Sequence, residues 1–311
     1  MGWGRSLVLL FGPVGLIGLC YVTAAPVELP AFVGNATADL ERPLDHPTAA
    51  YHLAAADTRA TGSADWSTVE HYPFLLTGDV SLDTLQRVLT EVVLPTARAL
   101  SIGYFDRAPQ RPITIVLMSS ESAYSEALSR LGHPGREEYA GLYSRRDSRI
   151  VLNLGTGEGT LAHELTHALA HVDCPHLPEW LDEGLASLHE ESVFSDDGLR
   201  LIGLPNWRDQ ILAEAMASRR APTIESLVRT PFGRGQPAVD YALARNGCLF
   251  LQDRQLLGAY YRKCRTRLED DPTGGRALLE IVGSREFGRL EQEFRDWFSS
   301  RTLAAAAESD G

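Results

Sequence analysis

The chain has 311 residues, of which 44% are hydrophobic and 23% charged, and its formal net charge is −12. This composition excludes a mostly disordered chain, and the length accommodates one large domain or two small ones. The acidic balance argues against nucleic acid or an anionic membrane surface as the main partner, because both attract basic patches.

The first 24 residues have the layout of a secretory signal peptide. Arg5 precedes an apolar stretch at 7–22, and small residues follow it, so that cleavage is expected after Ala24. The stretch includes three glycines and a proline and is shorter than a membrane span, which needs ~20 apolar residues. We therefore predict a signal peptide over 1–24 and an exported protein of the periplasm, the cell envelope or the extracellular space. The alternative is that the segment is retained as an anchor, the one case in which we expect contact with a membrane.

Residues 25–65 are rich in Ala, Pro, Thr and Asp and show no sustained hydrophobic period, which is typical of a linker or a pro-segment. The ordered domain is expected to begin directly after them, with a strand over 68–77. Apolar residues then recur at helical spacing and predict a helix over 81–102. Ser81 is its expected N-cap, and Pro95 interrupts it or ends its first part.

The next elements alternate between strands and helices. A continuous β-branched run predicts a buried strand at 112–118, and a short helix is expected at 120–131. Two apolar runs flank a polar turn within 141–154, which indicates a β-hairpin. A glycine-rich stretch then leads into a helix from Thr160, and the chain over 178–300 is expected to be almost entirely helical.

The helix from Thr160 carries the motif HELTH at positions 163–167. His163 and His167 are four residues apart, so both imidazoles lie on one helix face and can bind one metal ion. Glu164 is turned by about 100° from His163, which directs it to a water on the metal rather than to the metal itself. Taken alone, the motif is equally compatible with a helix that carries two surface histidines.

A second motif, PEWLDEGLA, supplies a candidate for a third ligand. A catalytic zinc keeps three protein ligands and one open position. Pro178 fits the first turn of a helix, and Glu183 follows within that helix. The segment between His167 and Glu183 is long enough to end the first helix and to place the second one antiparallel to it.

HELTH followed by PEWLDEGLA resembles the gluzincin branch of zinc metallopeptidases, specifically the bacterial peptidase MA-like families. The resemblance implies that His163, His167 and Glu183 bind one catalytic Zn²⁺. It also implies that Glu164 is the general base of peptide hydrolysis. The Gly-x-Met-Glu-Asn signature of aminopeptidases is absent, so an endopeptidase is expected.

The resemblance further implies an α+β, zincin-like fold. A small mixed sheet would pack on the HELTH helix over 66–170, and a mainly helical subdomain would follow over 171–302. Residues 303–311 would form a flexible tail. The strand near 150–154 would be the edge strand that aligns an extended peptide, because strand addition gives main-chain hydrogen bonds without demanding particular side chains.

A tyrosine from a later helix stabilises the oxyanion in the aminopeptidase-like relatives of this family. Tyr241 matches it best by order and spacing in the present sequence, and Tyr260 and Tyr261 match less well. The alternative for Tyr241 is a core tyrosine at the start of a helix.

Two residues compete with Glu183 for the third ligand. His171 extends the histidine row by one more turn, but three histidines in a straight row cannot surround one ion. Asp173 has the spacing from His167 at which metzincin-type enzymes place their third ligand, but Ala170 stands where those enzymes need Gly. We therefore favour Glu183 and keep Asp173 as the alternative.

One departure from the family pattern puts activity in question. Thermolysin-like enzymes often place an Asp four residues after the ligand Glu, where it orients a zinc-binding His, and Ser187 occupies that position here. Asp182, beside the ligand, is interpreted as a surface residue of the first helical turn. Loss of an orienting carboxylate can weaken metal binding or activity.

His176 and His189 are interpreted as polar residues with partners near the site. Among the cysteines of the exported part, a pair Cys248–Cys264 or Cys174–Cys248 and three free buried thiols remain alternatives.

The sequence thus predicts an exported zinc metallopeptidase that acts on a peptide or protein substrate, with no nucleic-acid partner and an oligomeric state left open. One alternative is a catalytically inactive zincin-fold binding or scaffold module of the cell envelope. Another is metal-dependent hydrolysis of a non-peptide amide.

Overall fold

A computed structural model of the chain describes residues 65–136 and 139–309, together with residues 52, 53 and 56. Side chains are described through Arg301. The predicted signal peptide and nearly all of the predicted linker lie outside the described residues. In this part of the chain, no helix is long and apolar enough to cross a membrane.

A five-stranded mixed sheet forms the first half of the fold, in the spatial order β1-β2-β3-β5-β4. Its strands are β1 (Ser67–His71), β2 (Phe74–Gly78), β3 (Ile113–Met118), β4 (Gly141–Ser144) and β5 (Arg149–Asn153). The three inner strands are parallel, and each outer strand is antiparallel to its neighbour. The predicted buried strand at 112–118 is confirmed as β3, the central strand, all of whose residues are buried.

Two strand predictions were wrong. The single strand expected over 68–77 is a tight hairpin of β1 and β2, with Tyr72 and Pro73 in its turn. Proline lacks the N–H that a continuous strand would need, so the chain reverses there. The hairpin at 141–154 is confirmed, but β5 is paired on both sides, and β4 is the strand at the exposed edge.

Helices cover both faces of the sheet. The helix predicted over 81–102 is confirmed as a continuous helical stretch, which consists of α1 (Leu82–Val88), a wider π turn (Leu89–Val93) and α2 (Leu94–Gly103). Ser81 caps α1 by accepting a hydrogen bond from the Thr84 N–H at 3.2 Å. The short helix α3 (Glu121–Arg130) packs on the other face, against β3 and β5.

The pleat of β3 explains how one strand serves both faces. Ile113, Ile115 and Leu117 join the main core, whereas Val116 and Met118 pack with Tyr124 and Leu128 of α3. Successive side chains of a strand point to opposite faces, so a strand covered on both sides is mostly apolar, and in β3 only Thr114 is polar.

The helix that carries HELTH is α4 (Glu158–Asp173), which begins two residues earlier than predicted. It packs against β4 and β5 with one face and against α5 (Glu179–His189) with the other. The loop of five residues between them reverses the chain.

The remainder of the chain is mainly helical, as predicted. Its helices are α6 (Arg208–Ala217), α7 (Ile224–Arg229), α8 (Pro237–Asp253), α9 (Leu257–Thr266), α10 (Gly275–Ile281) and α11 (Phe287–Ser309). A small hairpin of β6 (Ser192–Phe194) and β7 (Leu201–Gly203) was not predicted. The backbone of α11 continues through Ser309, so the segment expected to be a tail from residue 303 is helical over most of its length.

Helix α8 packs closely on α5, and glycine is needed at that contact. A β-carbon on Gly184 would lie 2.8 Å from the Ala244 carbonyl oxygen and 2.9 Å from Cys248 Sγ. Both distances are shorter than ordinary van der Waals contact, so Gly184 sets the separation of the two helices.

Candidate metal centre

Helices α4 and α5 bring His163, His167 and Glu183 together. The Nε2 atoms of the two histidines are 3.2 Å apart. Glu183 Oε2 lies 3.8 Å from His163 Nε2 and 3.5 Å from His167 Nε2. The three side chains thus form a group that can hold a metal ion.

These distances fit a tetrahedral zinc ion. Zinc–ligand bonds of ~2.0–2.2 Å place two tetrahedral ligands about 3.3–3.5 Å apart. The observed edges of 3.2, 3.5 and 3.8 Å lie within a few tenths of an ångström of this range. The donor set of two imidazoles and one carboxylate is that of a catalytic zinc with one position left for water or substrate.

Asp182 supports the second histidine. Its Oδ1 lies 3.0 Å from His167 Nδ1, and its Oδ2 lies 2.9 Å from His171 Nε2. Burial alone would raise the pKa of Asp182, but His167 and His171 hold this pKa well below its usual range. The prediction that Asp182 is a surface residue was therefore wrong, because its side chain is turned inward to α4.

A different carboxylate faces the first histidine. Glu190 Oε2 lies 3.7 Å from His163 Nδ1 and 2.8 Å from Arg208 Nη1. Ser187, at the position where thermolysin-like enzymes carry Asp, is fully buried, and its Oγ makes no hydrogen bond. Sequence reasoning missed Glu190, although it follows Glu183 by seven residues and so shares its helix face.

Glu164 lies under the edge strand β4. Its side chain is buried, and burial raises the pKa of its carboxyl, although His163 and His167 oppose the shift. The backbone N–H of Tyr143 in β4 makes a smaller contribution that also opposes this shift. Gly141 in the same strand leaves room for the Glu164 carboxylate, because a β-carbon there would lie 3.3 Å from Glu164 Oε1.

Tyr241 lies at the same centre from the opposite side. Burial, together with the nearby Glu183 carboxylate, raises the pKa of Tyr241. The ring packs edge-on against Phe232 at 5.0 Å between centroids. All five predicted site residues thus meet around one point of the structure.

Asp173 does not belong to this group. It is buried at the end of α4, where Arg265 Nη1 lies 2.8 Å from both carboxylate oxygens. The Tyr261 hydroxyl and the backbone N–H groups of Asp106 and Arg107 also donate to it. Its acceptor capacity is thereby occupied, which favours Glu183 as the third ligand.

The other histidines have separate roles. His171 packs against the Tyr143 ring in a tilted arrangement and pairs with Asp182. His189 is buried away from the three ligands, with its Nε2 3.1 Å from the Tyr104 hydroxyl oxygen. The prediction for His189 was right only in part, because its Nε2 has a polar partner, whereas its Nδ1 has none and the residue does not line the cleft.

A cleft of about 1080 Å³ lies over the centre. Its sheet side is formed by the start of β4 with Tyr139 and Arg145, and its helical side by Trp207, Phe232 and Tyr241. Trp207 is 52% exposed, which is unusual for so large an apolar side chain. No sequence pattern indicated Trp207 or Arg145, because only the tertiary fold brings them to the cleft.

The three cysteines of the described residues are free and buried. Burial raises the pKa of the Cys174 thiol to about 11 and that of Cys264 to about 12. Of the alternatives considered from the sequence, the structure has the unpaired thiols.

No protein-family model matches the sequence, and no curated protein matches it. The assignment of the site therefore depends on the geometry of its residues.

Proposed function

We propose that this chain is a zinc-dependent metallohydrolase of the gluzincin type that cleaves internal peptide bonds. The observation that carries the proposal is the triangle of His163, His167 and Glu183, whose edges of 3.2, 3.5 and 3.8 Å fit one tetrahedral ion. Glu164 beside this triangle and the open cleft above it favour catalysis over a purely structural metal site.

The proposed chemistry is hydrolysis by an activated water. When bound, zinc supplies a Lewis acid and lowers the pKa of a coordinated water. Glu164 accepts a proton from the attacking water and delivers it to the leaving nitrogen. Tyr241 donates a hydrogen bond to the carbonyl oxygen of the scissile bond as negative charge develops there.

The edge strand supplies the means to hold a peptide. Strand β4 is paired with β5 on one side only, and its first residue, Gly141, lines the cleft. Unpaired backbone groups of an edge strand can bind an extended segment by main-chain hydrogen bonds. This supports a peptide or protein substrate over a small non-peptide amide.

The test combines metal analysis with hydrolysis of casein and of a peptide library, with and without a chelator. Glu164→Gln should retain zinc and lose activity by ~10²–10⁴-fold, since it removes the general base. Glu158→Gln is the matched control, because Glu158 lies on the same helix but pairs with Arg87 at the surface. Glu183→Ala should lower the zinc content.

The outcomes separate the alternatives. A Glu164→Gln variant as active as wild type would contradict the mechanism. Zinc bound at one equivalent without hydrolysis of any peptide would identify a binding module. Hydrolysis of small amides alone would identify the third function considered.

A further inference from the structure

We infer that Glu190, held in place by Arg208, is the carboxylate that positions the metal-binding His163. The inference rests on the proposed zinc site and adds a residue that orients one of its ligands. Along α5, Ser187 follows Glu183 by four residues, and the C-cap residue Glu190 follows Ser187 by three. The three side chains therefore share one face of this helix. Glu190 is thus the next acidic residue on the face that already carries the ligand.

His163 needs such a partner. A histidine that binds a metal through Nε2 carries its proton on Nδ1, and it usually donates that proton to a carboxylate, a carbonyl or water. Glu190 Oε2 lies 3.7 Å from His163 Nδ1. Because it approaches the ring nitrogen opposite the one that faces Glu183, it is placed to orient the ring and not to bind the ion.

Ser187, one turn before Glu190, does not provide this contact with His163. Ser187 is fully buried, and its Oγ has no hydrogen-bond partner. The longer Glu side chain, one turn further along, approaches the histidine instead. His167 receives the corresponding support from Asp182 at 3.0 Å, so each ligand histidine faces its own carboxylate.

Arg208 fixes the position of Glu190. Its Nη1 lies 2.8 Å from the same Oε2 that faces His163, and its side chain is only 12% exposed. The guanidinium also stacks over the Trp207 ring at 4.3 Å from the centroid. The Trp207 ring thus holds the Arg208 guanidinium in place, and the guanidinium in turn restrains the Glu190 carboxylate.

The test measures zinc affinity by competition with a chromophoric chelator. Glu190→Gln should weaken zinc binding by ~10–100-fold, the usual effect of losing an outer partner of a metal ligand. Glu293→Gln is the matched control, because it removes the carboxylate of another Arg–Glu pair, with Arg254 at 3.0 Å, outside the cleft. Its zinc affinity should equal that of wild type.

Two further measurements distinguish positioning from a merely structural role. The visible spectrum of the Co²⁺-substituted protein should change in Glu190→Gln and stay unchanged in Glu293→Gln, because it reports the geometry of the ligands. Arg208→Met should weaken zinc binding in the same direction, and Arg208→Lys should restore most of the loss. The arginine variants keep the test decisive if Glu190→Gln does not fold.

Wild-type zinc affinity and an unchanged Co²⁺ spectrum in Glu190→Gln would overturn the inference, as would a wild-type protein that binds no zinc. A protein whose zinc affinity depends on Glu190 but that cleaves no peptide would support the inference and overturn the proposed activity. Binding and cleavage are measured separately, so the two failures are distinguishable.

Discussion

Gly141 and Glu164 are packed so closely that a β-carbon on Gly141 would lie 3.1 Å from Glu164 Cγ and 3.3 Å from its Oε1. The same atom would lie 2.8 Å from Thr160 Cγ2. The edge strand β4 therefore approaches the metal helix only because residue 141 has no side chain.

Gly141→Ala tests this contact. The added methyl group would clash with Thr160 Cγ2 and crowd Glu164, so Thr160, Glu164 or β4 must shift. A displacement of about 1 Å at a reacting group can cost ~10²-fold in rate. We expect a large fall in kcat with the zinc content unchanged. Gly288→Ala is the control, because nothing lies within 4 Å of a β-carbon there. Wild-type kcat in Gly141→Ala would show that the position of Glu164 does not depend on this approach.

Tyr241→Phe tests the second donor. Removal of one oxyanion donor typically lowers kcat by ~10²–10³-fold, and zinc content and KM should change little because the ring remains against Phe232. Tyr72→Phe provides a control, because it also removes a hydroxyl that donates a hydrogen bond. Tyr72 lies in the turn of the β1–β2 hairpin, outside the cleft, and its hydroxyl donates to the Pro109 carbonyl. Equal kcat in both variants would assign Tyr241 to packing alone.

Asp173→Ala tests the buried ion pair at the end of α4. Removing the carboxylate leaves Arg265 with Asp106 as its remaining acidic partner, and it leaves the Tyr261 hydroxyl and two backbone N–H groups without their acceptor. We therefore expect a loss of ~3–5 kcal/mol in the free energy of unfolding. Glu126→Gln, which breaks an exposed pair with Arg130 four residues away, should cost less than ~1 kcal/mol. Urea unfolding measures both. A folded Asp173→Ala protein that had lost its zinc would restore Asp173 as the third ligand.

His189 predicts a pH dependence of stability. Burial, with a smaller contribution from the Arg245 charge, lowers the pKa of His189 to about 3. The unfolded chain titrates near ~6.5, so below that pH it binds a proton that the folded chain does not. The free energy of unfolding should therefore fall by up to ~1.4 kcal/mol per pH unit as the pH drops from 6.5 towards 3, and this contribution should be constant above 6.5.

His189→Gln removes this titration and keeps a polar group for Tyr104. Urea unfolding of both proteins between pH 4.5 and 8 should give a shallower acid slope for the variant and parallel curves above pH 6.5. Parallel curves over the whole range would contradict the assignment of this slope to His189.

The sequence was informative where a local pattern determines local structure. The spacing of His163 and His167 fixes their common helix face, and the β-branched run at 113–118 matches a strand covered on both sides. Glu183 was predicted from the PEWLDEGLA motif, from the length of chain that separates it from His167, and from the resemblance that the two motifs carry. These features depend on residues that are close in the sequence, and a sequence pattern records such residues directly.

Features that depend on spatial neighbours were predicted less well. The edge position belongs to β4 rather than β5 because β5 pairs with β3, and no residue in the hairpin encodes that pairing. Asp182 was misassigned to the surface because only the packing of α5 on α4 turns it towards His167. Glu190 was missed because its role depends on Arg208, which comes later in the chain, after the β6–β7 hairpin, and only the fold brings the two together.

The contact between Asp173 and Arg265 also bears on how the proposed zinc site is completed during synthesis. Arg265 follows Asp173 by 92 residues, so the carboxylate leaves the ribosome well before its counter-charge. Until α9 has emerged, the last turn of the metal helix lacks the ion pair that anchors it. A product truncated before Arg265 should therefore contain all three proposed ligands and still lack a finished site.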